Sequence, residues 1–425
     1  VRLDGDAGGV VPDSADGMGS FDLGDGLVAL VRNHELDAGE FDKGAFQSGD
    51  HGNVRAYDRS AGRPLPGGTT TIVYDYVNHR FVRHYLSLAG TIRNCAGGVT
   101  PWGTWLTCEE DVTRRGGALE EDHGWVFEVP ARHEGPVEPT PLRGLGRFNH
   151  EAAAVDPRTG IVYLTEDQRD GLFYRFLPKV PGKLAEGGTL QALALAGAYA
   201  GRDARNWSGR TIPVGIEMPV RWIDLADVHS PVRDDLRKRG RAAGATRFAN
   251  AEGIHFGQDE LYFCVTSGGA IKSGQIMRYV PARGGAPDHL QLFLESSDPG
   301  TFNFGDNLAI APNGHLVVCE DPYWGGKRTY LPRMIDAAPC YLRGVTPDGA
   351  VYDIAQLHGS SEFSGACFSP DGRTLFVNVM SPTKTLAIRA KPGGGLAAAG
   401  PWGPPLPGWQ VYPAAAAVMP WVPNA

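Results

Sequence analysis

The sequence lacks the short motifs that mark several common classes of enzyme. It has no Gly-x-Ser-x-Gly turn, so nothing in it supports nucleophilic catalysis by a Ser/His/Asp triad. It also has no Walker loop, no dinucleotide-binding fingerprint and no Cys-x-x-Cys zinc pair. Any catalysis by this chain must therefore use other groups.

Two further absences limit the partners that we expect. No run of 18 apolar residues occurs, so no segment is predicted to span a membrane. Basic residues are not in excess, because the formal net charge is −8 at pH 7, and this argues against nucleic acid as the main partner. The acidic balance is compatible with sites that hold cations.

Cysteine is scarce, with six residues in 425. Cys108, Cys264, Cys319 and Cys367 each lie inside an apolar strand pattern, where a free cysteine packs like a small hydrophobic residue. We predict that these four are buried and reduced. Cys95 differs because it precedes a Gly-Gly step at the head of a strand, and this position favours a metal ligand over a packed thiol.

The abundant residues are Gly (58) and Pro (32), which indicate many tight turns and few helices. Short apolar strands fall into units that repeat at roughly 50 residues, as in the blades of a propeller. The residues that open successive units are Cys95, Glu151, Glu252, Asp306 and Ser364, with spacings of 56, 101, 54 and 58 residues.

The long spacing contains residues 197–248, whose charged run at 233–241 looks helical. We therefore predict an all-β, six-bladed β-propeller that forms a single domain over residues 1–425, with an insertion at 197–248. Seven blades are the alternative, if the insertion contains a further blade. The fourth strand of the last blade is expected from the N-terminal region or from Trp409–Tyr412.

The first strands of a propeller line its central channel and all begin on the same face, so the opening residues should meet at one channel mouth. The second strands end 14 or 15 residues later, mostly in acids, namely Glu109, Glu110, Glu166, Asp167, Glu320 and Asp321. So many carboxylates cannot stay ionised together without cations. Carboxylate oxygens suit Ca²⁺, Mg²⁺ or Mn²⁺ and a thiolate suits a transition metal, so we predict a site with more than one type of metal.

His34, in Asn33-His34-Glu35, can be interpreted equally well as a ligand or as a structural residue.

These residues resemble those of the PhoX-type alkaline phosphatases, and the likeness runs from about residue 20 to 390. The most specific motif is the stretch from Asn94 to Glu110. Further motifs are Gly146–Glu151, Tyr163–Asp167 with Leu172-Phe-Tyr-Arg-Phe, Ala251–Ile254, Gly305–Leu308 and Cys319–Pro322.

The resemblance implies a six-bladed propeller that hydrolyses phosphomonoesters with two Fe³⁺ and two or three Ca²⁺ at the channel mouth. Carried over by motif, Cys95 binds iron, and Cys95, Glu151 and Glu252 are catalytic. Glu109 or Glu110, together with Glu151 and Glu252, supplies carboxylates to the mixed cluster, and the calcium ligands are Asp306, Glu320 and Asp321. The resemblance also implies a small phosphate ester as substrate and export by the twin-arginine route to the periplasm or the medium. We further expect a monomer.

Two alternatives remain at the level of the sequence. One is a calcium-dependent, lactonase-like propeller enzyme, which needs a single carboxylate-bound metal and no thiolate. The other is a non-catalytic metal-binding propeller that binds calcium and a protein partner.

Overall fold

The structure is a computed structural model that describes residues 1–5, 8–49, 53–230, 234–321, 339–359 and 361–389. These residues form 25 strands and one α-helix, so the predicted all-β class is confirmed. The first half of the chain contributes β1 (Ala15–Gly24), β2 (Leu27–His34), β3 (Arg59–Ser60), β4 (Arg63–Pro64), β5 (Gly67–Asp75), β6 (Arg80–Thr91), β7 (Asn94–Val99), β8 (Thr104–Glu109), β9 (Val126–Pro130), β10 (His150–Val155), β11 (Val162–Glu166), β12 (Phe173–Pro178) and β13 (Gly188–Leu195).

The second half begins with β14 (Glu217–Asp224) and the helix α1 (Leu236–Ala242). The strands that follow are β15 (Ala251–Phe256), β16 (Leu261–Val265), β17 (Gln275–Val280), β18 (His289–Glu295), β19 (Gly305–Ile310), β20 (Leu316–Glu320), β21 (Cys340–Val345), β22 (Val351–Leu357), β23 (Phe363–Phe368), β24 (Leu375–Val379) and β25 (Lys384–Ile388). Three short 3₁₀ turns lie at Arg143–Leu145, Leu184–Glu186 and Gly197–Tyr199.

Most strands pair antiparallel with their neighbours in sequence, because short turns suffice to join such strands. Four-stranded units are β1-β2-β5-β6, β10 to β13, β15 to β18 and β19 to β22, while β7 to β9 and β23 to β25 form three-stranded sheets. The weak strand that the sequence suggested near Leu142 is reduced to a single bridge between Phe127 and Pro141. The segment Trp409–Tyr412 lies outside the described residues.

The predicted insertion at 197–248 connects two of these units. Its strand β14 pairs with β13 on one side and with β18 on the other, which joins β10–β13 and β15–β18 into one nine-stranded sheet. In its described part the segment contains this one strand and α1, and not the four strands of a further unit.

The first strands of the units are β1, β7, β10, β15, β19 and β23, and they contact one another in that order, with β23 returning to β1. The close approach requires small residues. A Cβ built on Gly98, for example, would lie 1.9 Å from the carbonyl oxygen of Ala153 on the neighbouring first strand. The ring of first strands encloses a cavity of about 630 Å³.

Apolar residues fill the space between neighbouring sheets. Between the two units that β14 joins, Phe173 stacks on Phe263 with ring centroids 4.5 Å apart. All six cysteines are buried and free, which confirms the prediction for the four that lie within strands. Among the described residues, no helix has the length and apolar character of a membrane-spanning segment.

Candidate metal centre

The opening residues of the first strands converge at one end of the ring. Each follows the first residue of its strand, and each strand has a register shift at that point, the mark of a β-bulge. A bulge turns a side chain away from its regular direction. The opening residues are Asp16, Cys95, Glu151, Glu252 and Asp306. In the sixth strand Ser364 also stands second, but it pairs with Asn378 and the register shift follows it.

A second set of acids comes from the residues that directly follow the second strands. After β2, β8, β11 and β20 these residues are Glu35, Glu110, Asp167 and Asp321. The pKa shifts of the opening residues and of Asp167 include repulsion from members of this set, so the two sets share one site. Glu362, which precedes β23, joins them by a contact with Asp321. We call all of these residues and Cys95 the acidic cluster.

Three groups in the acidic cluster place their ligand atoms within 4.8 Å of one another. They are Asp16–Glu35–Cys95, Cys95–Glu110–Glu151 and Glu151–Glu252–Asp306. The Sγ of Cys95 lies 3.2 Å from Asp16 Oδ2 and 3.3 Å from Glu151 Oε1. The other oxygens of these two carboxylates, Asp16 Oδ1 and Glu151 Oε2, are buried without a hydrogen-bond partner in the described structure.

Burial makes the charged forms of these groups costly. It raises the pKa of Asp16, Glu151, Glu252 and Asp306 well above the ordinary range, and repulsion from the neighbouring carboxylates raises each pKa further. The pKa of the Cys95 thiol is raised for the same two reasons. Burial and mutual repulsion therefore favour the protonated forms of these groups when no cation is bound.

Arg93 contributes a positive charge at the edge of the cluster. Its Nη2 lies 2.5 Å from Glu35 Oε1 and also pairs with Glu110, and its Nη1 lies 3.5 Å from Asp37 Oδ1. Burial raises the pKa of Glu35 to about 8, although Arg93 acts in the opposite direction. The arginine therefore fixes the position of two cluster carboxylates from different strands.

Of the eight predicted metal ligands, six lie in the cluster: Cys95, Glu110, Glu151, Glu252, Asp306 and Asp321. The structure does not bring Glu109 and Glu320 there. Each is the last residue of its strand and faces away from the next residue, because side chains alternate along a strand. Glu320 Oε1 accepts hydrogen bonds from the Asn303 amide (2.9 Å) and Arg343 Nε (2.8 Å).

The Glu109 carboxylate is part of a buried network behind the cluster. It accepts hydrogen bonds from three backbone amides, of Ile92, Gly124 and Trp125, and from His123 Nδ1 at 2.7 Å. The other nitrogen of His123, Nε2, lies 3.1 Å from Asp58 Oδ2. Burial lowers the pKa of His123, but the two carboxylates outweigh it and raise the pKa to about 9. The network therefore holds an imidazolium between two carboxylates, and it ties the end of β8 to the start of β9.

The backbone around Cys95 is held by Asn33. Its amide group donates to the carbonyl oxygens of Cys95 (3.1 Å) and Ala96 (2.8 Å), and its Oδ1 accepts from Trp105 Nε1 and Thr107 Oγ1, both at 2.9 Å. Carbonyls at a bulge are not paired in the strand ladder, so the side chain satisfies them. The neighbouring His34 is structural, because its two ring nitrogens bond the Asp13 carbonyl and the Thr70 hydroxyl.

Sequence reasoning missed Asp16, Glu35, Arg93 and Glu362. A signal existed for two of them. Asp16 and Glu35 occupy in β1 and β2 the register that Cys95 and Glu110 occupy in β7 and β8, so alignment of the N-terminal strands with the other units would have found them. No comparable pattern in the sequence marks Arg93 or Glu362.

The donor set fits a mixed group of metal ions. Separations of 3.2 and 3.3 Å between the Cys95 sulfur and carboxylate oxygens are close to the spacing of neighbouring ligands around one ion, since metal–ligand bonds are about 2.0 to 2.5 Å long. A thiolate favours a transition metal, whereas an all-carboxylate group favours calcium or magnesium. Buried oxygens without partners leave room for such ions to bind.

Comparison with known proteins identifies a family and a similar fold. Residues 69–383 match the family model described as alkaline phosphatase PhoX. The solved structure of Pseudomonas fluorescens PhoX, in complex with vanadate as a transition state analogue, superposes with a TM-score of 0.62 at 19% identity, over 87% of this chain and 84% of that chain. A gluconolactonase from Xanthomonas campestris gives a TM-score of 0.37 at 16% identity, over 92% of this chain and 100% of that chain. No curated protein sequence matches the chain.

Proposed function

The chain belongs to the PhoX alkaline phosphatase family, a family of phosphomonoesterases, and from that premise we propose that the acidic cluster binds two Fe³⁺ and two or three Ca²⁺ and serves the hydrolysis of small phosphate esters. One observation carries the proposal. A buried thiol at Cys95 lies within 3.3 Å of carboxylates from two other first strands, Asp16 and Glu151, and each of these has a buried oxygen without a partner in the described structure.

The three ligand groups suggest how the ions are divided. The two groups that share Cys95, with Asp16 and Glu35 and with Glu110 and Glu151, suit iron because they contain the thiolate. The group Glu151–Glu252–Asp306 contains only oxygen ligands and suits calcium.

Bound metals polarise phosphoryl oxygens and lower the pKa of a coordinated water, which supplies a nucleophile without an activated serine. The residues of this chain bind the metal ions and orient the substrate. Cys95, Glu151 and Glu252 are the proposed catalytic residues, and Glu151 belongs to both an iron group and the calcium group. Arg93 holds Glu35 and Glu110 in place and offsets part of the negative charge that would repel a phosphate ester.

The number of blades, the oligomeric state and the location of the protein are part of the same proposal. We propose six blades in a single domain, supported by the six first strands that contact one another in a closed ring. We also propose that the protein is a monomer and, from the family resemblance, that it works outside the cytoplasm. Fractionation of cells that express the full-length gene product, and light scattering of the purified protein, test these two points.

The decisive experiment compares Cys95→Ala with Cys108→Ala. Both cysteines are buried in the same hairpin, but Cys108 belongs to none of the three ligand groups. We expect the wild type and Cys108→Ala to contain iron and calcium, to show a ferric–thiolate absorption band and to hydrolyse p-nitrophenyl phosphate. Cys95→Ala should lose the band, and its activity should fall at least about a hundredfold.

Full activity of Cys95→Ala would contradict the proposal. A colourless wild-type protein with calcium alone would remove iron from it. A fully metallated wild type that does not turn over p-nitrophenyl phosphate would contradict the proposed activity on such esters.

A further inference from the structure

One acid of the acidic cluster, Asp167, belongs to none of the three ligand groups. It follows β11, and its carboxyl group makes hydrogen-bond contacts with two other cluster acids, Glu110 and Glu252. Glu110 belongs to a group that contains Cys95, whereas Glu252 belongs to the all-carboxylate group. Asp167 therefore lies between the two kinds of ligand group.

Asn250, which precedes the first strand of the next unit, holds this carboxylate. Its Nδ2 donates a hydrogen bond to Asp167 Oδ1 at 2.6 Å, and the residue is only 2% exposed. The Ser267 hydroxyl donates to Asn250 Oδ1, and this bond fixes the amide group so that its nitrogen faces Asp167. One oxygen of Asp167 is thus occupied by a neutral donor, and the other oxygen is left to bind a cation.

The backbone of Asn250 is constrained as well. Its amide donates to the Gln168 carbonyl (2.9 Å), and its carbonyl accepts from the Thr266 amide (2.8 Å). These two bonds join the residue to the chain that follows β11 and to the chain that follows β16. Asn250 has a left-handed backbone (φ 57°), a conformation in which asparagine is enriched over most residues with a side chain.

The same backbone conformation recurs at the corresponding place in other units. Ser14, Arg93 and Phe304 have φ values of 53°, 44° and 51°, and each stands two residues before the opening residue of its unit. Backbone strain of this kind clusters at functional sites, where the surrounding structure maintains it. Arg93 contacts two cluster carboxylates from this place, and Asn250 contacts Asp167 from the equivalent one.

We propose that Asn250 is a positioning residue for calcium binding, which holds Asp167 so that this acid binds a calcium ion between Glu110 and Glu252. The inference rests on the proposed function, because it assumes that the acidic cluster binds metal ions. Without the amide of Asn250, the Asp167 side chain is free to rotate, and ordering it costs part of the binding free energy of the ion.

The test measures the Kd of Ca²⁺ by isothermal titration calorimetry, in protein that keeps its iron and from which a chelator has removed the calcium. Asn250→Gly is the main variant, because glycine adopts the left-handed backbone without strain and adds no charge. Asn206→Gly is the matched control. Asn206 is also buried and left-handed (φ 56°), and its Nδ2 donates to Glu295 Oε2 at the same distance of 2.6 Å, but neither residue belongs to the acidic cluster.

We expect the Kd of Ca²⁺ to rise about ten- to a hundredfold in Asn250→Gly, as for other residues that orient a metal ligand. The Kd should be unchanged in Asn206→Gly, although both variants should lose stability in urea unfolding. The ferric–thiolate band should be retained in both, because Cys95 is untouched. Asp167→Asn removes the charge of the proposed ligand and should weaken Ca²⁺ binding at least as much as Asn250→Gly.

A Kd in Asn250→Gly equal to that of the wild type, or an equal rise in the Asn206→Gly control, would overturn the inference and leave the proposed function standing. If Asn250→Gly does not fold, Asp167→Asn decides, since wild-type affinity in that variant also overturns the inference. A wild-type protein that binds no Ca²⁺ would contradict both the inference and the proposed function.

Discussion

Removal of the metal ions should make the stability of this protein fall as the pH rises above 6.5. In the folded chain without metal, the pKa of Glu35 is about 8, whereas its ordinary value is 4.5. The folded state thus binds more protons than the unfolded state between these two values. Stability from this protonation is complete below pH 4.5 and is lost as the pH rises towards 8.

The magnitude follows from the linkage relation. One bound proton contributes about 1.4 kcal/mol per pH unit, and Glu35 is half-ionised at pH 8, so Glu35 alone should cost about 1.6 kcal/mol between pH 6.5 and 8. The other buried cluster carboxylates, whose pKa values are also raised, act with the same sign. The histidines with lowered pKa, such as His34 and His150, oppose this loss at the acidic end of the window, because in the unfolded state they are still half-protonated at pH 6.5.

The assay is urea unfolding of chelator-treated protein at pH 6.5, 7.25 and 8, with and without added Ca²⁺. Glu35→Gln should reduce the mean slope by about 1 kcal/mol per pH unit, whereas Glu138→Gln, at a side chain that is 74% exposed, should leave it unchanged. Added Ca²⁺ should restore stability most strongly at pH 8, because it binds the ionised cluster. A metal-free stability that is constant or rises over this range, or an unchanged slope in Glu35→Gln, would refute the reasoning.

Two further predictions concern the scaffold. His123→Asn should destabilise the protein by about 3 to 5 kcal/mol in urea unfolding, because it leaves two buried carboxylates, Glu109 and Asp58, without their shared cation. A loss below 1 kcal/mol would show that the imidazolium is not needed for stability. Gly98→Ala should cost about 1 to 3 kcal/mol, because its Cβ would overlap the Ala153 carbonyl on the next first strand. Gly39→Ala, where a Cβ meets nothing within 4 Å, is the control for the same assay and should be neutral.

The repeat of strands and the set of opening residues could be predicted from the sequence because both depend on local patterns. Alternating apolar residues define a strand and Gly, Pro, Asn and Asp define the turns, so the predicted units of short strands are present in the structure. Cys95, Glu151, Glu252 and Asp306 stood out for the same reason, since each occupies the same place in its own unit. The proposal of a mixed metal site required only these residue types and their shared register.

Tertiary structure decided which neighbouring acids belong to the cluster and which hold the scaffold. Glu109 and Glu110 are adjacent and chemically alike, yet one accepts hydrogen bonds from the backbone and from His123 while the other faces Cys95. Which of the two side chains faces the cluster depends on where the bulge lies relative to the alternation of side chains along the strand. The sequence does not show the position of the bulge. Asp16 belongs to the acidic cluster because the ring of first strands closes. Closure brings β1 against both β7 and β23, which lies at the far end of the described chain. Local periodicity is set by neighbours in sequence, whereas these contacts are set by the packing of segments that are far apart in the chain.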